Sequence, residues 1–145
     1  MIKYLLDTNV LIRFLRSDHP THSPASRELF AEACNGKCVL LLTEIAVAEA
    51  VWVLQSVYNT ERAQVAEGLR KVILSAGIRC AKRDEMLDAL GRFAATKCDF
   101  LDCYLAALAA TSGDIIASFD KDFDRFADIK RWQPAQLSGT STLST

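Results

Sequence analysis

Residues 1–15, MIKYLLDTNVLIRFL, place a carboxylate at the end of an apolar run. The run that ends at Leu6 predicts a buried strand, and the apolar character that resumes at Val10 predicts a helix. Between them Asp7 stands where a core pattern would take an apolar residue. An aspartate here can start a turn or cap the helix by binding backbone N–H groups. It can also be a functional carboxylate, and this stretch alone leaves both interpretations open.

The rest of the chain predicts strands and helices in alternation. Strands are expected at 2–6, 38–42, 78–81, 114–119 and 129–132. Helices fill the intervals, and Ser23, Thr43, Thr60 and Asp99 are expected to cap four of them. The unbroken apolar run at 38–42 is typical of a strand covered on both faces. This order predicts an α/β fold with a mostly parallel sheet flanked by helices.

The composition is that of one globular domain. The chain has 145 residues, half of them hydrophobic and a quarter charged, with a net charge of −1. Such a small charge argues against bulk-electrostatic binding of nucleic acid, but not against an enzyme with a local basic rim. Five cysteines without close pairs argue against a structural zinc site and fit reduced thiols in a cytoplasmic protein. We expect a domain over 1–134 and a flexible, Ser/Thr-rich tail over 135–145.

Three aspartates occupy places where a parallel sheet would gather them. Asp7 and Asp120 each follow an apolar strand, and ligands of open α/β sheets bind beyond the carboxyl ends of strands. Asp102 lies in the first turn of the helix that Asp99 is expected to cap. Each also has a simpler explanation, because a first-turn aspartate favours a helix dipole and an acidic run is commonly a solvated turn. Together they predict an acidic site at one edge of the sheet.

Glu49 lies in an apolar helix that is expected to turn Ile45, Ala48 and Trp52 inward. A charged residue in such surroundings is seldom buried unless it is paired or metal-bound. We therefore count Glu49 with the acidic residues. Glu44 is left out, because a glutamate in the first turn of a helix needs no other explanation.

Several carboxylates gathered in one place would repel one another, and a divalent cation removes that repulsion. Oxygen ligands without an accompanying Cys or His favour a hard ion, Mg²⁺ or its substitute Mn²⁺. Mg²⁺ keeps several waters and is commonly completed by phosphate. The pattern therefore indicates phosphoryl transfer to water.

On these residues the chain resembles the PIN-domain ribonucleases, and most closely the VapC toxins of bacterial toxin–antitoxin pairs. Each matching stretch is short, and their order over residues 1–134 makes the set specific. The stretches are 5–11 (LLDTNVL), 48–54 (AEAVWVL), 99–107 (DFLDCYLAA) and 118–123 (SFDKDF). The chain departs from the family pattern at Ser118, where a threonine is expected, and at Cys103, where an alanine is usual.

The resemblance implies a three-layer α/β/α fold and an acidic quartet that binds Mg²⁺. Asp7 and Asp102 would be the leading metal ligands. Asp120 and Glu49 would complete the site, either as ligands, directly or through water, or by activating the nucleophile. Asp99 and Asp122 match accessory acidic positions of the family. Small polar positions that hydrogen-bond the carboxylates are matched by Thr8, Asn9 and Ser118.

The resemblance also implies partners: a structured RNA substrate such as tRNA or rRNA, a second copy of the chain, and a VapB-like antitoxin that covers the site. Basic residues could form a rim for RNA phosphates, although solvated surface charge explains any one of them. They are Arg13, Arg16, Arg79, Lys82, Arg83, Lys121, Arg125, Lys130 and Arg131.

Other functions remain open. The chain could be a housekeeping PIN-domain nuclease without an antitoxin. A haloacid-dehalogenase phosphatase would need an aspartate two residues after Asp7, where Asn9 stands. A receiver domain does not fit the order of elements. An RNA-binding module without catalysis gains nothing from clustered carboxylates.

Overall fold

The computed structural model of the chain describes residues 1–135, which hold strands and helices in the alternation that the sequence predicts. Strands are β1 (Lys3–Leu5), β2 (Val39–Leu42), β3 (Ile78–Cys80), β4 (Ile116–Ala117) and β5 (Arg131–Trp132). Helices are α1 (Thr8–Arg16), α2 (His22–Cys34), α3 (Glu44–Ser56), α4 (Arg62–Leu74), α5 (Arg83–Ala95) and α6 (Phe100–Ser112), and a 3₁₀ helix spans Lys121–Arg125. Apart from residue 135, the tail predicted over 135–145 lies outside the described residues.

All strand pairs of the described chain are parallel. β1, β2 and β3 form one sheet in that order, with Lys3 opposite Val39 and Leu40 opposite Ile78. β4 and β5 form a second, two-stranded sheet. The predicted α/β class, a mostly parallel sheet flanked by helices in three α/β/α layers, is confirmed. The expectation of a single sheet edge is wrong, because β1 and β4 lie in different sheets.

Local signals set some of the helix termini. The Thr43 hydroxyl accepts from the Ala46 N–H at 3.1 Å, as expected for the cap of α3. Gly113 ends α6 with a left-handed backbone at φ +80°. Ser23 is not a cap: its buried hydroxyl accepts from the His19 N–H at 3.1 Å, one residue inside α2. Thr60 is not one either, since Glu61 is the N-cap residue of α4.

The outward face of α3 differs from the prediction. Ile45 and Trp52 are 80% and 64% exposed, whereas Val47 and Val51 are buried. Val47 and Val51 pack α3 against the rest of the main hydrophobic cluster. Because α3 is apolar around most of its circumference, the periodicity does not reveal which side faces inward.

Within residues 1–135, no helix is both long enough and apolar enough to cross a membrane. All five cysteines are free thiols.

Gly77 lies where a side chain cannot be accommodated, and Gly77→Ala is expected to destabilise the fold by about 2–3 kcal/mol. Its φ is +82°, and a Cβ would lie 2.3 Å from the Ala33 carbonyl oxygen. Gly113→Ala is the matched control, since φ is +80° there but no atom lies within 4 Å of the added Cβ. We expect it to cost only about 1 kcal/mol. Urea unfolding of both variants measures this difference, and equal losses would contradict the steric explanation.

Arg92 links α5 to the segment that follows the 3₁₀ helix. Its Nη1 donates to Asp128 Oδ1 at 3.0 Å, and its Nε donates to Asp88 Oδ2 at 3.2 Å. The guanidinium also lies over the Phe126 ring, 5.0 Å from the ring centroid. The hydrogen bond from Arg92 lowers the pKa of the Asp128 carboxyl.

Asp128→Asn is expected to lower the free energy of unfolding at pH 7 by about 0.5–1 kcal/mol, a small amount because the carboxylate is exposed. A lowered carboxyl pKa stabilises the fold above the pKa of the unfolded state. That stabilisation is lost as the pH falls through the lower, folded value. The stability difference between variant and wild type should therefore vanish in acid. Urea unfolding from pH 7 to pH 2 tests this, with Glu28→Gln on α2 as a control that should change nothing. A difference that persists in acid would contradict the assignment.

Candidate active site

Asp7 follows β1 directly and is the N-cap residue of α1. Its Oδ2 accepts from the Asn9 N–H at 3.2 Å. The capping interpretation of Asp7 is thus confirmed, and it does not exclude the other one. The side chain is exposed, and within residues 1–135 no hydrogen bond reaches Oδ1. Asp7 can therefore hold the helix terminus with one oxygen and present the other to a ligand.

Asp120 is held in a turn of the same kind. The Ser118 hydroxyl accepts from the Asp120 N–H at 2.9 Å, and Asp120 Oδ1 accepts from the Asp122 N–H at 2.8 Å. Asp120 thereby caps the 3₁₀ helix. Ser118 was predicted to hydrogen-bond a carboxylate, whereas here its hydroxyl bonds the backbone N–H of Asp120.

Asp102 is the most crowded of the candidate carboxylates. It lies half-buried in the first turn of α6, and partial burial raises its pKa. The negative charges of Asp120, Asp99 and Asp122 raise it further. The structure therefore brings these four aspartates into one electrostatic neighbourhood, although Asp120 and Asp102 come from different elements.

Asp99 connects this group to Glu49. Asp99 is the N-cap residue of α6 in backbone conformation, but its side chain makes no capping hydrogen bond. It lines a cavity of about 670 Å³ between α3 and α6, and Glu49 lines the same cavity. Glu49 is exposed rather than buried, because its side of α3 faces outward. The acidic region therefore extends from Glu49 through Asp99 to Asp102 and Asp120.

Asp7 is not joined to this region by any hydrogen bond or ion pair in the described chain. Asn9, two residues further along the chain, lines a second cleft of about 500 Å³ together with Arg13 and His22. Thr8 is buried in the first turn of α1, and Asn9 reaches Asp7 through its backbone. Arg13, which forms an ion pair with Asp18 at 3.5 Å, gives this cleft a cation.

A polar link that no sequence pattern indicated joins the two helices that carry Glu49 and Asp102. The Tyr104 hydroxyl on α6 donates to the Glu44 carboxylate at the start of α3. Partial burial and this hydrogen bond raise the pKa of the Tyr104 phenol. The two residues are 60 positions apart, so no local pattern could indicate the contact. Glu44 therefore does more than favour a helix dipole, because it ties α3 to α6.

The donor chemistry of the site fits a hard divalent cation. The candidate ligands are all carboxylates, and their mutual repulsion around Asp102 is what such a cation would relieve. Within residues 1–135, no three His, Cys, Asp or Glu side chains are arranged closely enough to hold a metal ion. The carboxylate side chains would have to move closer to one another to bind a metal ion. Assignment of the ligands stays a prediction.

The PIN domain family matches residues 4–129, which include every candidate site residue. No curated protein matches the chain.

Proposed function

Because the chain belongs to the PIN domain family, we propose that it is a Mg²⁺-dependent endoribonuclease that acts as the toxin of a toxin–antitoxin pair. The family supports metal-dependent nuclease chemistry in general. The observation that carries the proposal is the position of Asp102 in the first turn of α6, where partial burial and the negative charges of Asp120, Asp99 and Asp122 raise the pKa of its carboxyl. Carboxylates that repel one another destabilise a fold unless a cation binds them.

In this proposal Asp7, Asp102 and Asp120 hold Mg²⁺. When bound, Mg²⁺ supplies a positive charge for the scissile phosphate and makes water a better nucleophile. Glu49, which is exposed beside Asp99, is available to accept a proton from the attacking water or to complete the site. Asn9 and Ser118 hold the turns that present Asp7 and Asp120. Tyr104 fixes the helix that carries Asp102 relative to the helix of Glu49.

The substrate in this proposal is a structured RNA of the tRNA or rRNA class. Arg13, in the cleft beside Asn9, could bind a phosphate next to the cleaved one. A homodimer and a VapB-like antitoxin that covers the site belong to the same proposal. They rest on the resemblance of residues 5–11, 48–54, 99–107 and 118–123 to the toxins.

A housekeeping nuclease of the same family is the second candidate, and it needs the same carboxylates. The two differ in their genetic setting and in their effect on growth. A small reading frame beside this gene, encoding a DNA-binding antitoxin, would favour the toxin.

Expression of the chain without a partner, with 5′ ends of cellular RNA mapped across the transcriptome, tests the proposal. We expect growth arrest and new 5′ ends at a few sites in tRNA or rRNA. Co-expression of the neighbouring antitoxin should restore growth. Cleavage without growth arrest would favour the housekeeping nuclease, and an unchanged set of 5′ ends would overturn the proposal.

A further inference from the structure

The guanidinium of Arg131, on β5, holds the segment that carries Asp120 at two points. Its Nη1 donates to the Ser118 carbonyl oxygen at 3.1 Å, just before Asp120. Its Nε and Nη2 donate to the two Asp124 carboxylate oxygens at 2.9 Å and 3.0 Å, in the 3₁₀ helix that Asp120 caps. Paired bonds of this kind between arginine and a carboxylate fix the relative orientation of the two groups. Arg131 therefore spans the turn that presents Asp120.

Ser118 passes this support on to Asp120. The Ser118 N–H donates to the Trp132 carbonyl oxygen at 3.0 Å, so both backbone polar groups of Ser118 are bonded to residues of β5. The Ser118 hydroxyl accepts from the Asp120 N–H, and Asp120 Oδ1 accepts from the Asp122 N–H. A continuous series of hydrogen bonds thus leads from Arg131 to the Asp120 carboxylate.

We propose that Arg131 is a positioning residue for the metal site, which keeps the Asp120 carboxylate near Asp102 by fixing residues 118–124. The inference rests on the proposed nuclease function, in which Asp102 and Asp120 hold Mg²⁺. Burial raises the pKa of Asp102 most, and the charge of Asp120 raises it further, so the two side chains interact electrostatically. Removal of a group that orients a metal ligand typically lowers metal affinity roughly 10- to 100-fold.

The surroundings of Arg131 do not suit the other role open to it, that of a cation for RNA phosphates. Its side chain is only 12% exposed. All three guanidinium nitrogens donate within the described chain, and Nη1 also donates to Gln133 Oε1 at 3.2 Å. A phosphate would have to displace these bonds. They favour a role in holding the turn over contact with the substrate.

Charge and position predict opposite effects of Arg131 on metal binding. The hydrogen bond to Asp124 raises the pKa of the Arg131 guanidinium most, and the charge of Asp120 also raises it, so the guanidinium lies in the field of the acidic site. A guanidinium there repels a cation, so its removal would strengthen metal binding if charge alone mattered. Loss of the fixed turn weakens metal binding instead. The sign of the change therefore separates the two explanations.

Titration calorimetry of the metal-free chain with Mn²⁺ measures this sign. We expect Arg131→Gln to weaken Mn²⁺ binding roughly 10- to 100-fold. Arg131→Lys should weaken it as well, because lysine keeps the charge but lacks the planar fork that bonds two partners. Arg92→Gln is the matched control, since the Arg92 side chain is 11% exposed and also bonds both oxygens of one aspartate, Asp128. Its other hydrogen-bond acceptor is Asp88, so this substitution should leave residues 118–124 in place and the Mn²⁺ affinity unchanged.

Hydrogen exchange of the Asp122 N–H, measured by NMR without metal, reports on the turn itself. Arg131→Gln should speed this exchange roughly 2- to 10-fold, and Arg92→Gln should not change it. Mn²⁺ affinity that is unchanged or tighter in Arg131→Gln would overturn the inference, and so would an equal loss in Arg92→Gln. A wild type that binds no Mn²⁺ would overturn the metal site of the proposed nuclease. In that case faster exchange in Arg131→Gln alone would still support the fixed turn, and equal exchange would overturn it.

Discussion

Asp7→Asn is expected to leave the fold intact and to slow RNA cleavage roughly 10³-fold, which corresponds to about 4 kcal/mol of lost transition-state stabilisation. The substitution removes the charge that we propose holds Mg²⁺. It keeps the cap of α1, because an asparagine oxygen can still accept from the Asn9 N–H at the same distance. Growth inhibition should be lost with the cleavage.

Asp7→Ala separates the two roles of this residue. It removes both the charge and the cap, so we expect the same loss of cleavage together with about 1 kcal/mol of lost stability. Cleavage rates and urea unfolding measured on both variants make the comparison. Wild-type cleavage by Asp7→Asn would show that Asp7 only caps the helix.

Asp102→Asn is expected to lose cleavage to a similar extent and, unlike Asp7→Ala, to gain stability in the absence of metal. Burial and the surrounding charges of Asp99, Asp120 and Asp122 raise the pKa of Asp102 in the folded state. A raised carboxyl pKa means that the charged form destabilises the fold. This effect begins as the pH rises through the unfolded pKa and is complete above the folded one.

The gain should therefore be present at pH 7 and absent in strong acid, where the carboxyl is protonated in both states. We expect it to stay below about 1 kcal/mol because solvent screens the charges. Added Mg²⁺ should reverse the order, since it stabilises only a protein that binds it, by about 2.7 kcal/mol at 100 times the dissociation constant. Thermal unfolding with EDTA and with Mg²⁺ measures both effects, and Glu28→Gln on α2 is the control. A less stable Asp102→Asn in EDTA would contradict the crowding.

The sequence predicted the order of elements and several of their ends, because these depend on local chemistry. The Thr43 cap and the Gly113 terminus each follow from one side chain acting on nearby backbone. The orientation of α3 could not be predicted in this way. Its apolar residues lie on several sides, so Trp52 was expected in the core and lies at the surface.

The candidate site also has a local part that the sequence predicts and a long-range part that it does not predict. The turns at Asp7 and Asp120 are local, and their residues were identified directly from the sequence. Their relation in space is not local, because the preceding strands belong to different sheets. The bond between Glu44 and Tyr104 also joins distant segments, and only the folded chain shows it.

Cleavage of total cellular RNA by the purified chain tests whether these carboxylates form a metal-dependent nuclease site. We expect discrete 5′ ends that require Mg²⁺ or Mn²⁺, disappear in EDTA, and are absent with Asp7→Asn and Asp102→Asn prepared in parallel. Cuts that persist in EDTA, or that both variants make at the wild-type rate, would contradict a metal site built from these carboxylates.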